Sequence, residues 1–274
     1  MQNATVNAIA LSPRTRGAAV RRYVELVTTI AERNIKSRYR GSILGVFWSL
    51  SNPLIMTGVY TLIFGAAFKS YYGNSIVNYV LAVFMGMVVV TFFSQASSQA
   101  LTSVVANGSL VNKIRVPLSA FPVSIIVANL FQFVVGVLPV IVVVTFLASH
   151  SAERVILLIA PALSLLLVTT GAALAASALF VFFRDLPYIY ELVVFITWMT
   201  SPIFYPEQIV PERLRFWVHM NPIAAVANDL RDIAFSPIAP HLHVLASTVG
   251  LSLAALAAGA AVFVALQRWA MDLL

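Results

Sequence analysis

The feature that most constrains this chain is a run of 34 residues, Val116 to Ser149, without a single Asp, Glu, Lys or Arg. About 20 consecutive apolar residues are enough for a helix to cross the hydrocarbon core of a bilayer. In lipid, every backbone N–H and C=O group needs a partner within the protein, which favours helices over open strands. The run therefore predicts a membrane-spanning helix.

Similar apolar stretches recur along the chain and predict an all-α polytopic membrane protein with six transmembrane helices. Composition agrees, because 60% of the residues are hydrophobic and only 10% are charged, whereas soluble domains carry roughly 25% charged residues. The chain from 43 to 274 is therefore expected to form one transmembrane domain. Its predicted spans are about 43–68, 77–98, 118–148, 155–183, 186–205 and 244–267.

Residues 1–42 are predicted to form a cytoplasmic tail followed by an amphipathic helix. From Val20 to Arg40, apolar residues recur on one helical face and basic residues on the other. Such a helix is expected to lie in the plane of the membrane interface. Arg38 projects onto the apolar face, which leaves two interpretations: its side chain extends to the lipid headgroups, or it binds an anionic ligand.

The stretch between spans five and six is too polar to cross the membrane, although parts of it are apolar. Prolines interrupt it repeatedly between 202 and 240. Broken helices of this kind are tolerated at membrane depth when they pack on protein or line a cavity. We therefore expect outer re-entrant helices in this region.

The distribution of basic residues predicts the orientation of the chain. Eight of the seventeen Lys and Arg residues lie before residue 41. With the N-terminus inside, twelve basic residues fall on the cytoplasmic side and five outside, which favours cytoplasmic N- and C-termini. The net charge of +7 is thus explained by a membrane face, and no nucleic-acid partner is expected.

Several classes of catalytic site are excluded or disfavoured. The chain has no cysteine, its four histidines are scattered, and its acidic residues do not suggest a converging pair. It contains no Gly-Lys dipeptide, so the phosphate-binding loop of P-loop ATPases is absent. We expect no enzyme activity, no metal and no cofactor in this chain; if transport uses ATP, another polypeptide must bind it.

One acidic residue, Glu191, falls inside a predicted span and shares a helical face with Tyr188, Phe195 and Trp198. Two interpretations remain open. Glu191 pairs with Arg184 or reaches the interface while the aromatic rings pack on neighbouring helices, or the four residues line a passage. In the second case the lining of the channel includes Tyr60, Phe64, Tyr188, Glu191, Phe195 and Trp198.

Three segments resemble the permeases that export polysaccharide in ABC transporters. The first, ERNIKSRYRGSILGVFWSLSNPLIMTGVY, joins a basic helix to a Leu-Gly-x-x-Trp span. The second is NGSLVNKIRVPLSAFP. The third, FRDLPYIYELVVFITWMTSPIFYP, is followed by NPIAAVANDLR. The segments occur in the family's order across most of the chain, and the resemblance is to exporters of O-antigen, teichoic acid and capsular polysaccharide.

The resemblance implies a transmembrane subunit in the cytoplasmic (inner) membrane of a bacterium. Two copies of the permease would pair with two nucleotide-binding ATPase subunits, which hold ATP and Mg. The substrate would be a lipid-linked polysaccharide carried on a polyprenyl pyrophosphate, and membrane lipids would surround the complex. Asn107, Leu110, Lys113 and Arg115 would belong to the region that couples the permease to the ATPase.

The resemblance also implies that the substrate enters near the junction of the basic helix and the first span. Arg38, Arg40 and Trp48 are the candidate residues at this entrance. Guanidinium groups bind phosphate oxygens bidentately, which suits Arg38 and Arg40 to a pyrophosphate. Binding of anionic lipid headgroups is the competing role.

Two other functions remain open at this stage. An exporter of drugs or small lipids with the same fold would need the same spans and the same coupling loop. An ATP-independent carrier or a structural membrane protein is the second alternative, but ion-coupled carriers usually contain ionisable groups in mid-membrane, and the first four spans and the sixth lack them near their centres.

Overall fold

The computed structural model describes residues 13–111, 116–236 and 240–270, with side chains described from residue 17 onward except at 110 and 111. These residues form helices joined by short connections, and no strand occurs among them. The principal helices are α1 (Pro13–Tyr39), α2 (Gly45–Tyr72), α3 (Ile76–Leu101), α4 (Ala120–Ser149), α5 (Ala152–Phe182), α6 (Leu186–Thr200), α7 (Glu212–Met220), α8 (Pro222–Phe235) and α9 (Leu242–Ala270). Two single-turn helices, Ser103–Ala106 and Gly108–Val111, follow α3.

Five of the described helices, α2, α3, α4, α5 and α9, are long and apolar enough to cross a membrane. They correspond to the first four predicted spans and the sixth. The coarse prediction of an all-helical, multi-pass membrane protein is therefore confirmed.

The remaining predicted span, 186–205, is shorter than expected. Its helix, α6, has 15 residues and at 1.5 Å per residue is about 22 Å long, less than the roughly 30 Å of a hydrocarbon core. The helix ends at Thr200 because Ser201 adopts an extended conformation (φ −87°, ψ 129°). Pro202 follows, and a residue that precedes proline is disfavoured in the helical region.

Helix α3 forms the centre of the molecule. Most of its residues from Tyr79 to Leu101 are buried, because α2, α4, α5 and α8 all pack around it. In contrast, α6 has no buried residue, and α2 exposes most of its apolar side chains. The core therefore lies around α3, while α2 and α6 present uncovered apolar faces.

The most extensive packing between two helices joins α5 and α9. Gly171 of α5 and Gly259 of α9 face each other so closely that a Cβ atom on either would collide with the backbone of the other helix. Small residues allow helix backbones to approach in membranes, where packing rather than the hydrophobic effect drives association. Two glycines thus permit the close α5–α9 contact.

Helix α1 packs on one end of the bundle. Its buried Ile30 belongs to an apolar cluster with Phe121 from the start of α4, Val181 from the end of α5 and Ala270 from the end of α9. Those helix termini therefore lie at the same end of the molecule, which we call the α1 end. The opposite end, where α7 and α8 lie, is called the α8 end.

Candidate functional site

Arg38 lies in the last turn of α1 and points at two neutral amide side chains. Its guanidinium donates to Asn129 Oδ1 at 3.3 Å and also to Gln99 Oε1. Asn129 Nδ2 donates to the same Gln99 oxygen at 3.0 Å and to Ile125 O at 2.9 Å, which fixes the orientation of both amides. In the described part of the chain, Arg38 has no carboxylate partner. Its position is held by hydrogen bonds while its positive charge remains uncompensated.

The hydrogen bonds explain why Arg38 lies on the inner face of α1. From the sequence, Arg38 was expected either to extend to the lipid headgroups or to bind an anion. The amide side chains of α3 and α4 were not predicted as its partners. Gln99 and Asn129 lie 30 residues apart in the chain. Gln99 is at the polar end of α3, and Asn129 is within the apolar helix α4. The packing of α4 against both α1 and α3 brings the three side chains together.

Arg40 and Trp48 flank the connection between α1 and α2. Arg40 lines an open cleft of about 580 Å³ together with Arg33 and Lys36. Trp48, at the beginning of α2, is 55% exposed. The connection turns at Gly41 (φ +78°) and Gly45 (φ +49°), conformations that L-residues with a Cβ adopt rarely. Arg38, Arg40 and Trp48 therefore lie along one short segment at the α1 end.

The loop after α3 is joined to α1 by a side-chain contact. Arg33 Nη2 donates to Asn107 Oδ1 at 3.1 Å, and Asn107 Nδ2 donates to Ser103 O at 2.8 Å. Leu110 belongs to the single-turn helix Gly108–Val111, of which the backbone is described but not this side chain. The coupling residues predicted at Lys113 and Arg115 lie outside the described residues.

Four aromatic residues meet between α2 and the segment that follows α6. Tyr60 stacks on Phe204 with ring centroids 4.7 Å apart, and Trp198 meets Tyr60 edge-on at 6.0 Å. Phe64 lies 5.8 Å from Phe204. We call Tyr60, Phe64, Trp198 and Phe204 the aromatic cluster. Three of them were predicted lining residues, and the structure brings these three together.

Phe204, which joins the members of the cluster, was missed by the sequence analysis. It follows the end of α6, and its backbone oxygen accepts a 2.7 Å hydrogen bond from the Tyr79 hydroxyl. The only signal in the sequence is the aromatic pair in the segment SPIFYP, where a helical pattern no longer applies. A periodicity argument could not assign a direction to its side chain.

The other predicted lining residues lie away from the aromatic cluster. Phe195 is 51% exposed and contacts only Trp198 among the cluster's rings, at 6.0 Å. Tyr188 is 74% exposed. Glu191 lines a separate cleft of about 340 Å³ between α3 and α6, with Ser98 and Tyr190. The described residues contain no ion pair between Glu191 and Arg184, whose guanidinium lies over the Phe180 ring instead.

Arg231 of α8 is buried among backbone carbonyls. Its Nε donates to Ala82 O at 2.8 Å, and its two terminal nitrogens donate to Pro202 O and Ile203 O. One side chain thereby joins α8 to α3 and to the segment after α6. The sequence analysis placed Arg231 in a family motif without assigning it a role, and the structure identifies it as a structural link.

No three His, Cys, Asp or Glu side chains come together among the described residues in a way that could hold a metal ion. The side chains that meet at Arg38 are a guanidinium and two neutral amides, and the aromatic cluster contains no carboxylate. This chemistry suits recognition of anionic and hydroxyl-rich molecules better than acid–base catalysis.

The chain is similar to known transport proteins over most of its length. Residues 25–235 match the family model described as ABC-2 type transporter. The O-antigen export system permease protein RfbA of Klebsiella pneumoniae is 28% identical over 211 residues, 76% of this chain and 80% of the relative. The protein of the same name from Myxococcus xanthus is 26% identical over 243 residues, 88% of this chain and 92% of the relative.

Proposed function

The chain belongs to the ABC-2 type transporter family, a family of transport membrane subunits, and on this premise we propose that it is the permease of an ATP-driven exporter of lipid-linked polysaccharide. The similarity to O-antigen export permeases over most of both chains is the observation that carries the substrate class. The lack of a phosphate-binding loop supports a separate ATPase subunit that binds ATP and Mg.

We further propose that the chain crosses the membrane six times, with both termini in the cytoplasm. The ends of α5 and α9 lie together at the α1 end, so α9 begins at the α8 end. The chain must therefore cross from the α1 end to the α8 end between residues 182 and 242. Helix α6 and the extended residues after it supply this crossing, because Phe204 hydrogen-bonds to Tyr79 near the start of α3. Helices α7 and α8 then lie as re-entrant elements on the outer side.

A second copy of the chain completes the conduit in this proposal. Helix α6 buries none of its residues, and α2 exposes large side chains such as Leu62 (88%). Lipid also covers exposed apolar faces. However, the aromatic cluster lies between α2 and α6, which favours a second copy of the chain at this surface. Pairing two copies along α2 and α6 would enclose a passage lined by aromatic rings, on which sugar rings can stack while sliding.

Coupling to ATP hydrolysis would pass through the loop after α3. The Arg33–Asn107 hydrogen bond joins this loop to α1, and Arg38 lies five residues further along the same helix. A movement of the loop on the ATPase would therefore be transmitted to the substrate entrance. Leu110, Lys113 and Arg115 are the further residues assigned to this contact.

Recognition of the pyrophosphate is assigned to Arg38 and Arg40. Arg38 is held by Gln99 and Asn129 without a neutralising carboxylate, so its interaction with an anion is not opposed by an existing ion pair. Hydrogen bonds to charged groups contribute about 1.5–3 kcal/mol each. Loss of one such bond would weaken substrate affinity by about tenfold or more.

The decisive experiment measures ATP hydrolysis by the permease–ATPase complex in liposomes, with and without lipid-linked glycan. Stimulation by glycan is expected, and Arg38→Ala and Arg40→Ala should each raise the half-maximal glycan concentration about tenfold. Arg21→Ala is the matched control, because Arg21 lies on the same helix in an exposed pair with Glu25 at 2.8 Å. Stimulation by drugs or phospholipid but not by glycan would overturn the substrate class and leave the family assignment intact.

A further inference from the structure

A cavity of about 510 Å³ lies at the α8 end, beside the turn that joins α2 to α3. This volume falls within the roughly 300–1,000 Å³ range of small-molecule sites. Its lining combines aromatic rings with carboxylates and amides, from Tyr71, Tyr72, Asn78, Glu207, Gln208, Asn228 and Asp232. We call it the α8 cavity. None of these residues was a predicted site residue.

The walls of the α8 cavity are held in place by hydrogen bonds. Buried Arg231 links α8 to α3 and to the segment after α6. Asn78 Nδ2 donates to Tyr72 O at 3.3 Å across the α2–α3 turn. Glu207 accepts from Asn228 Nδ2 at 3.0 Å and lies 3.3 Å from His219 Nε2. The cavity is therefore a preformed feature of the fold.

Several polar groups in this wall remain available to a ligand. Among the described residues, the Asp232 carboxylate and the Tyr71 and Tyr72 hydroxyls make no hydrogen bond with another side chain or with the backbone. A carboxylate accepts hydrogen bonds, and a tyrosine hydroxyl both donates and accepts. A ligand with several hydroxyl groups would satisfy this set.

The charges of the lining disfavour an anionic ligand. Glu207 and Asp232 would repel an anion, and the three nitrogens of Arg231 are already turned toward backbone carbonyls. A metal ion would need more carboxylate or histidine ligands than the described residues bring together here. The free hydroxyls and the tyrosine rings of the lining thus suit a hydroxyl-rich molecule with faces of C–H groups, which is the chemistry of a neutral sugar.

Aromatic rings connect this cavity to the aromatic cluster. Phe68 lies 5.8 Å from Phe64 of the cluster and 6.4 Å from Tyr71 in the cavity wall. Tyr79 lies 6.4 Å from Phe68 and 5.5 Å from Tyr72. A chain of ring contacts therefore runs from the proposed passage to the cavity.

From this arrangement we infer that the α8 cavity binds a saccharide segment of the exported glycan as it leaves the aromatic cluster on the outer side. The inference rests on the proposed export of polysaccharide. Binding there would hold the emerging chain through Asp232 and the tyrosines, and would oppose its return into the passage.

Site-specific photo-crosslinking in cells tests this inference with the cell's own lipid-linked glycan as the probe. Tyr71→p-benzoylphenylalanine places the photoreactive ring in the cavity wall, and Tyr71 is 48% exposed, so the change is small. Trp217→p-benzoylphenylalanine is the matched control, because Trp217 is 67% exposed on α7 and does not line the cavity. Each variant is expressed in a strain that lacks the chromosomal copy, and glycan adducts on the permease are detected by carbohydrate staining.

We expect a glycan adduct at position 71 and none at position 217, with the adduct at 71 reduced several-fold by Asp232→Ala. Normal surface glycan without an adduct at 71, or equal adducts at both positions, would overturn the cavity assignment and leave the export function standing. If the unmodified chain fails to restore surface glycan in the deletion strain, the proposed function fails, and the cavity assignment fails with it.

Discussion

Replacing Gly171 by alanine tests how closely α5 and α9 approach. The added Cβ atom would lie 2.5 Å from Ala255 O and 2.8 Å from Leu256 Cα. Ordinary contacts begin near 3.4 Å, so the two backbones would have to separate by about 0.9 Å. Because both obstacles belong to the backbone, no change of side-chain rotamer can relieve them.

The expected loss of stability follows from this displacement. Overpacking in a well-packed core costs typically about 1–3 kcal/mol, and a gap of about 0.5–1 Å forfeits a quarter to a half of the dispersion attraction between facing atoms. Since α5 and α9 share the most extensive helix contact in the molecule, the loss should lie in the upper half of that range. At about 2–4 °C per kcal/mol, the midpoint of unfolding should fall by roughly 4–12 °C.

Thermal unfolding in detergent micelles, followed by tryptophan fluorescence, measures this effect. Gly250→Ala is the matched control, because Gly250 lies on α9 with no atom within 4 Å of the position its Cβ would occupy. Alanine is favoured over glycine in helices by up to about 1 kcal/mol, so this variant should unfold at the wild-type temperature or above it. A wild-type midpoint for Gly171→Ala would refute the close approach of the two helices.

Three further predictions concern other parts of the molecule. Gly86→Ala should destabilise the α8 end, because the added Cβ would lie 2.7 Å from Arg231 Nη2 and 2.8 Å from Ile203 Cγ2. Faster proteolysis of the segment after α6 would reveal this loss of stability, and an unchanged rate of proteolysis would contradict the prediction. Burial raises the pKa of the Asp229 carboxyl from 3.8 to about 6, so the folded state binds its proton more tightly than the unfolded state. This contribution to stability is complete below about pH 4 and is lost as the pH rises through 6. The wild-type protein should therefore lose thermal stability between pH 5 and pH 7, and Asp229→Asn should lose less. Identical pH profiles for the two proteins would argue against this role of Asp229. Arg33→Ala and Asn107→Ala should have non-additive effects on glycan-stimulated ATP hydrolysis, because each removes the same 3.1 Å hydrogen bond; strict additivity in a double-mutant cycle would show that this bond does not couple the loop to α1.

The positions of the long helices could be predicted from local pattern alone. Uncharged stretches of sufficient length can satisfy their backbone in lipid only as helices, and five of the six predicted spans match helices that are long enough to cross. The predicted span 186–205 extends beyond the end of α6 because hydrophobicity continues through Phe204 while the backbone departs from the helix at Ser201. Composition does not report such a conformational change, although Pro202 is a partial signal for it.

Side-chain partners were less accessible to sequence reasoning. The helical projection placed Arg38 on the inner face of α1, yet its amide partners come from α3 and α4, 61 and 91 residues away in the chain. Likewise, Tyr60, Phe64 and Trp198 were candidates for a lining, but the ring that joins them, Phe204, lies outside any periodic element.

The sequence by itself determined the class of the protein: a helical, multi-pass membrane chain with a basic N-terminal helix and the motifs of an export permease. The physical reason is that lipid imposes length, hydrophobicity and helical hydrogen bonding on each span separately, so local sequence suffices. Only the tertiary structure decided which polar groups meet at Arg38, which rings form the aromatic cluster, and that tyrosines and carboxylates enclose the α8 cavity. These arrangements depend on how helices distant in sequence pack together, and in a membrane that packing is set by close shape fit at residues such as Gly171 and Gly259.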